Sequence, residues 1–538
     1  MESFYGAMAW FVKTVKGKDL PSDLPKRVDL KPKAEVMSIL GIPPIKINGE
    51  KMDWRTVEDN MEVYRYVGVS HLFIWCFWSH VDYLDYLEVK TDEGTIKLRM
   101  MIPNFLFIAK DFLTPDPERG GEEGFKSLIN RAHSLGLRVI PQLCINAAYG
   151  DSYILREHPD WILRSIHGGY AVPWPWITAP WGYVVNKAHP GLIRFVTETL
   201  MPKWIIDWGA DGIFLDYPAI FYCDPRIYGI YKRIGISENA RRICYDRGLS
   251  LEECIKPVAP VDGYYSGEPL VAAMRRKINE LKSRLGRELT FGGEFVKASY
   301  MDYPDEAIEA TFKGRRLDEP IEERGSLSKY FDWIWDYRFA SLLLNVARNI
   351  NAVSSSRYVD AVLKNEEEKD GLESAKFVNM LNTFWSGYRC LHSQATAECY
   401  LTLLTTAPGG TLWIGCYQLD SLEEAYLLRA WYRRLLMIKR AYPSLIHGRL
   451  ENALIEPEDS RVIAYNRWSD DEAVTVAVNV GQRYEAITLR TRFKHDKVRL
   501  LDLLRGEIVA GEAKRLEVEV PPFTALILVE DPRFPRLQ

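Results

Sequence analysis

The sequence contains little glutamine: five residues of 538, against 69 basic and 73 acidic residues. Amide side chains are thermolabile, and few amides combined with abundant Lys, Arg and Glu are typical of thermophilic proteins. We therefore expect a chain adapted to high temperature.

Paired cysteines and histidines at metal-ligand spacing are also lacking. The eight cysteines, at positions 76, 144, 223, 244, 254, 390, 399 and 416, include no CxxC pair. Several lie in strand-like apolar runs, so buried thiols are expected rather than a disulfide framework. His133, in RAHSLG, is expected to be structural, and no metal site is predicted from spacing. The chain has no GxSxG, P-loop or glycine-rich dinucleotide fingerprint, so serine hydrolysis, phosphoryl transfer and dinucleotide binding have no support.

Neither strong charge nor long apolar runs are present. The formal net charge is −4, which gives no reason to expect a nucleic-acid partner. The longest apolar stretches span about ten residues, shorter than a bilayer requires, so no membrane partner is expected. The first residues lack a basic n-region, which favours a cytoplasmic location, although a trimmed secretion signal is left open.

What the sequence does contain is an alternation of amphipathic helices and apolar strands over most of its length. We count about eight strand–helix units before residue 443, which favours a (β/α)8 TIM barrel over an open doubly wound sheet. The barrel, residues 1–443, is expected to include an aromatic-rich insertion after the third strand, residues 146–187. Period-two alternation over residues 446–532 predicts a C-terminal antiparallel β-sandwich. The fold class is therefore α/β.

Two acids follow adjacent predicted strands: Asp216 after GIFL and Glu294 after TFGG. Because neighbouring strands lie about 4.8 Å apart, carboxyl groups at their tips can face each other across roughly 5–6 Å. Retaining glycosidases need about this separation between nucleophile and acid/base. The alternative interpretation is that each acid is a turn or helix-capping residue.

The insertion carries four tryptophans and several tyrosines. Aromatic faces suit sugar rings, and buried indole N–H groups need partners, which favours a wet cleft over a small separate core. We predict that an oligosaccharide or polysaccharide substrate contacts residues of this insertion and of the strand ends, namely Trp174, Trp176, Trp181, Tyr183, Asn146, Phe214, Tyr217 and Asn382.

These stretches together resemble the α-amylase family of glycoside hydrolases. WIIDWGADGIFLDYP resembles the family's nucleophile strand and LTFGGEF its acid/base strand, and the likeness covers most of residues 50–530. The resemblance implies that Asp216 is the nucleophile and Glu294 the general acid/base. It also implies that Asn146 can serve a structural calcium ion, while the chemistry requires no cofactor.

The sequence departs from this family at several sugar-holding positions. Phe214 stands where an Arg is usual, Gln142, Asn146 and Ala147 replace the third-strand pattern, and the seventh strand reads Met380, Leu381 and Asn382. The missing Arg would keep a neighbouring carboxylate ionised, so other hydrogen bonds must do so here. The third carboxylate of the family could be replaced by several acids, namely Asp224, Asp318, Glu319, Asp332 and Asp336.

The leading prediction is a retaining glycoside hydrolase or transglycosylase acting by double displacement, on a substrate that need not be starch. Two alternatives remain open. One is a carbohydrase of another barrel group, such as a dextranase or an α-galactosidase-like enzyme. The other is an amylase-like barrel that binds glycan or protein without catalysis.

Overall fold

The computed structural model describes most of the chain. It covers residues 30–44, 51–82, 86–91, 94–99, 107–164, 169–171, 182–218, 267–295, 329–336, 339, 354–367, 377–382, 394–414 and 422–531. Trp174, Trp176 and Trp181 lie outside these residues.

Eight parallel strands form a closed barrel, as the alternating pattern predicts. Their hydrogen-bonded order is β1-β2-β5-β8-β9-β10-β11-β12, and β12 pairs with β1 to complete the ring. The strands are β1 Ser38–Ile42, β2 His71–Ile74, β5 Arg138–Leu143, β8 Gly212–Leu215, β9 Thr290–Phe295, β10 Trp333–Asp336, β11 Phe377–Asn382 and β12 Gly410–Ile414. The strand before Asp216 is therefore the fourth of the barrel, and the strand bearing Glu294 is its neighbour.

Helices between the strands cover the barrel. In the first, Trp54–Val67, the Asp53 side chain accepts a hydrogen bond from the Thr56 N–H, and Gly68 ends the helix in a left-handed conformation. The other α-helices in the described residues are Gly121–Ser134, Tyr153–Glu157, Pro190–Arg194, Glu268–Leu285, Ser355–Glu367, Gln394–Thr406, Leu422–Ala441 and Ser444–His447. Among the described segments, none of the helices combines the length and apolar character needed to cross a bilayer.

One helix departs from the expected regular α-helix. The helical segment before β8 begins as α-helix at Pro190–Arg194 and continues as π-type turns over Phe195–Leu200 and Lys203–Asp207. Pro202, between the two π-type segments, has no backbone N–H and cannot donate an i→i−4 hydrogen bond. Periodicity marks the helix but does not reveal this local change of hydrogen bonding.

Aromatic side chains fill the barrel interior. The Phe214 ring lies 4.3 Å from that of Trp335 and 4.9 Å from that of Phe73, measured between centroids. Trp333 stacks on Phe214 at 5.2 Å. A Cβ at Gly292 would lie 2.3 Å from the Trp333 indole, so glycine is needed where β9 meets these rings.

In the described part of the insertion after the third barrel strand, β6 Ala147–Ala148 pairs antiparallel with β7 Tyr183–Val184. A separate hairpin, β3 Tyr86–Thr91 and β4 Gly94–Arg99, follows the second barrel strand. The Tyr183 hydroxyl donates to the Glu88 carbonyl at 2.9 Å, which joins the insertion to this hairpin.

The C-terminal part consists of two antiparallel sheets. Their orders are β13-β15-β16-β21-β18-β19 and β14-β17-β20. The strands are β13 Arg449–Asn452, β14 Leu454–Glu456, β15 Val462–Trp468, β16 Ala473–Asn479, β17 Glu485–Leu489, β18 Lys497–Asp502, β19 Ile508–Glu512, β20 Leu516–Val520 and β21 Thr524–Glu530. Side chains such as Ala477 from the larger sheet and Ile487 from the smaller one share a buried core, in agreement with the predicted sandwich.

Candidate active site

Asp216 directly follows β8, at the carboxyl end of the barrel. Its backbone N–H donates to the Leu143 carbonyl at 2.9 Å, which extends the pairing with β5. Its side chain is 7% exposed. Burial of a carboxylate is costly without hydrogen-bond donors, so Asp216 needs donor groups close to its side chain.

Two donors from the chain after β5 reach the same carboxylate oxygen. The Asn146 amide nitrogen lies 2.8 Å from Asp216 Oδ2, and the Cys144 Sγ lies 3.0 Å from it. Burial, together with the charge of Asp216, raises the pKa of the Cys144 thiol well above its usual value. The thiol therefore stays protonated and can donate to the carboxylate.

Glu294 stands beside Asp216 on the neighbouring strand. In the β8–β9 register Leu215 pairs with Gly293, so the two acids occupy equivalent positions one residue further along. The Tyr217 N–H donates to Glu294 Oε2 at 2.9 Å. Tyr217 has a φ of +40°, a conformation uncommon for a residue other than glycine. The turn after β8 thus links the chain that carries one acid to the carboxyl group of the other.

Lys187, which sequence reasoning did not single out, is fully buried at this site. Its ammonium group donates to Asn146 Oδ1 at 2.6 Å and also to the Tyr217 carbonyl. The same nitrogen lies 5.5 Å from the centre of the Tyr217 ring. The only sign of Lys187 in the sequence is that a charged residue directly follows the mostly apolar stretch YVVN, at the end of the insertion.

The residues around Asn146 do not fit the structural calcium ion that the resemblance implies. Calcium needs six to eight oxygen ligands at about 2.3–2.6 Å. Here Asn146 Oδ1 already accepts from the Lys187 ammonium, a positive charge that would repel a second cation. Within the described residues, no group of three or more His, Cys, Asp or Glu side chains could hold a metal ion.

The other predicted substrate contacts in the described residues differ in their exposure and position. Phe214 is completely buried in the aromatic interior, so in this structure its ring packs and has no exposed surface for a sugar. Tyr217 is 9% exposed and Tyr183 is partly buried. Asn382 ends β11.

Gln142, at a position that departs from the family pattern, is also buried. Its Oε1 lies 3.4 Å from the Cys76 Sγ. Gln142 pairs in register with Phe214, so these two replacements are neighbours in the barrel.

The structure excludes one of the acids that could replace the third carboxylate of the α-amylase family. Asp332 lies at the amino end of β10, where its Oδ2 accepts from the Phe291 N–H at 2.7 Å and its Oδ1 lies 3.0 Å from Arg275. This is the opposite end of the barrel from Asp216, so the suggestion that Asp332 replaces the third acid is wrong. Asp336 ends β10, in register with Phe295 at the carboxyl end of β9. Asp224, Asp318 and Glu319 lie outside the described residues.

Comparison with solved structures identifies the architecture. A noncanonic maltogenic α-amylase from Thermotoga neapolitana aligns with 14% sequence identity and a TM-score of 0.59, covering 92% of this chain and 98% of that chain. An α-amylase from Geobacillus thermoleovorans, solved with acarbose, aligns with 14% identity and a TM-score of 0.59 over 93% and 99%.

The chain has the fold of an α-amylase. The same fold is seen in a debranching enzyme from Nostoc punctiforme, at 15% identity and a TM-score of 0.55, over 92% of this chain and 100% of that chain. No protein-family model and no curated protein matches the sequence. Within this α-amylase fold, Asp216 follows the fourth barrel strand and Glu294 is the penultimate residue of the fifth.

Proposed function

We propose that this protein is a retaining glycoside hydrolase or transglycosylase acting on an oligosaccharide or polysaccharide. One observation carries the proposal: two carboxyl groups occupy equivalent positions at the carboxyl ends of adjacent strands, β8 and β9. Active sites of (β/α)8 barrels lie at this end. Adjacent strands are about 4.8 Å apart, which suits the close carboxyl pair of a double displacement better than the wider gap of an inverting enzyme.

In the first step, Asp216 attacks the anomeric carbon while Glu294 gives its proton to the glycosidic oxygen, whose bond to that carbon breaks. The product is a glycosyl ester on Asp216 and a free leaving sugar. Asn146 and Cys144 both donate to Oδ2, so we assign the attack to Oδ1. In the second step Glu294 takes a proton from water or a sugar hydroxyl, which attacks the same carbon and releases the carboxylate.

Our first prediction concerns these two acids. Asp216→Asn and Glu294→Gln are expected to lower kcat by about 1000-fold or more, because the first removes the attacking carboxylate and the second removes the proton donor. Turnover is measured on a mixed-linkage panel of α-linked oligosaccharides at high temperature, and NMR of early product gives the anomeric configuration. Asp59→Asn and Glu123→Gln, both exposed on outer helices, are matched controls that should leave turnover unchanged.

Undiminished turnover in either acid variant, or product of inverted configuration, would overturn the assignment. Phe214, which fills the position of the family's Arg, gives a reason to keep non-catalytic glycan binding as a second candidate. Binding of a panel member without slow hydrolysis at any temperature favours that candidate. Activity on dextran or α-galactosides but not on starch favours another carbohydrase specificity.

A further inference from the structure

One buried ammonium group connects the two candidate catalytic acids. Lys187 donates to Asn146 Oδ1, and the other end of that amide donates to Asp216 Oδ2 at 2.8 Å. Lys187 also donates to the carbonyl of Tyr217, whose N–H donates to Glu294 at 2.9 Å. Two successive hydrogen bonds therefore lead from Lys187 through the Asn146 side chain to Asp216. Two others lead from Lys187 through the Tyr217 backbone to Glu294.

The positive charge of Lys187 explains why its ammonium group needs these contacts. A buried ammonium is unfavourable unless it is hydrogen-bonded and balanced by opposite charge. Asn146 and the Tyr217 carbonyl are neutral acceptors, and the carboxylate of Asp216 lies one amide away from the ammonium group. The Asn146 amide is polarised in one direction, with its oxygen toward the cation and its nitrogen toward the anion.

We propose that Lys187 is a built-in cation that positions Asp216 and Glu294 and takes the place of a bound divalent metal ion at Asn146. It is a positioning residue, because it is fully buried and acts through Asn146 and Tyr217. The Asn146 side-chain oxygen and the Tyr217 carbonyl oxygen are the kind of ligands that calcium prefers, yet here both accept from an ammonium group. The metal replacement can be tested alone, whereas the effect on catalysis rests on the proposed function.

The first experiment changes the charge at position 187 and measures metal binding. Lys187→Asp replaces the ammonium with a carboxylate on a shorter side chain, which leaves space for a metal ion between that carboxylate and the two oxygens. We expect this variant to bind one Tb³⁺ more than the wild-type chain, measured by luminescence titration. Its melting temperature should rise on addition of CaCl2 and fall again with EDTA. The melting temperature of the wild-type chain should not show this rise and fall, because its ammonium group occupies the site.

Equal Tb³⁺ stoichiometry in a folded Lys187→Asp variant and the wild type would overturn the proposal. If Lys187→Asp does not fold without metal, the titration is made during refolding with CaCl2 or with EDTA. Failure to refold in both conditions would also count against the proposal. None of these results depends on enzymatic activity.

The second experiment removes the ammonium group, with its charge and its hydrogen bonds. Lys187→Met keeps an unbranched side chain of nearly the same length, and we expect kcat to fall by about 100-fold with KM unchanged, because the acids lose their alignment while the substrate surface is intact. Lys439→Met is the matched control, since Lys439 is also fully buried and donates to a backbone carbonyl, that of Ala407. It should lower stability without this separation of kcat from KM.

An unchanged kcat in Lys187→Met would remove the positioning role. If the wild type shows no glycosidase activity, the proposed function fails, while the Tb³⁺ and melting results still decide the metal replacement. The two failures are therefore distinguishable.

Discussion

At the scale of single residues, cysteine illustrates how burial changes chemistry near the proposed nucleophile. The described cysteines, Cys76, Cys144 and Cys399, are all buried and free, in agreement with the expectation of buried thiols. Burial raises the pKa of each of the three, and the negative charge of Asp216 raises those of Cys76 and Cys144 further. The thiolate is the reactive form, so a raised pKa suppresses reaction in the folded protein.

We predict that iodoacetamide at pH 8 leaves these three thiols unmodified in the folded protein, because each pKa lies above that pH. Peptide mass spectrometry after quenching measures the modification of each cysteine. The same reaction in denaturant, where burial is lost, should modify all three. Modification of Cys144 in the native protein would show that its thiol is exposed or ionised and could not donate to Asp216.

At the scale of elements, the amino end of β8 is held by a polar cluster far from the candidate site. Asp211 is buried, and its Oδ2 lies 2.8 Å from both the Val139 N–H nitrogen and His133 Nε2. Arg287 lies 3.1 Å from Asp211 Oδ1 and also donates to the carbonyl of Ala210. This cluster joins the strand that leads to Asp216 with its neighbours, and it gives His133 the structural role that the sequence predicts.

Asp211→Ala is expected to lower the free energy of unfolding by about 3 kcal/mol, because it leaves partly buried cationic and N–H groups without their acceptor. Denaturant unfolding measures the change. Asp207→Ala removes an exposed carboxylate on the preceding helix, whose ion pair with Lys203 spans 3.6 Å, and should change stability by less than about 0.5 kcal/mol. Equal effects of the two variants would show that the polar cluster at Asp211 does not stabilise the amino end of β8.

At the scale of the whole molecule, the larger C-terminal sheet shares an apolar core with the barrel. Ile463 and Val476 of the larger sheet belong to the same buried cluster as residues of the barrel strands. Polar contacts cross the same boundary: Ser355 Oγ lies 2.7 Å from Asn452 Oδ1 and 2.8 Å from the Ala464 carbonyl oxygen. The Ala464 N–H also donates to this hydroxyl.

Ser355→Ala should lower the free energy of unfolding by about 2 kcal/mol, because buried groups of the C-terminal sheet lose their partner. Because the core is shared, calorimetry should show one cooperative transition that shifts as a whole. The neighbouring Ser356→Ala, at an exposed position, is the control and should have little effect. Two separate transitions, with only one of them shifted, would show that barrel and sheets unfold independently.

The sequence by itself determined the architecture and the position of the two acids. Strand and helix periodicities are local, so alternation alone predicted the eight-stranded barrel, the C-terminal sheets, and the placement of Asp216 and Glu294 on neighbouring strands. The same local signal could not report the π-type turns near Pro202, because the apolar spacing of that segment is nearly helical in either case.

Only the tertiary structure decided what surrounds the acids. Cys144 meets Asp216 across 72 positions of sequence, and Lys187 meets Tyr217 across 30. Contacts of this kind depend on how strand ends and an insertion converge in space, and no periodicity in the chain encodes that convergence. The same holds for Phe214, whose place in an aromatic interior depends on rings contributed by separate strands. Local pattern fixes the elements, whereas burial and charge balance between distant segments fix the chemistry that they enclose.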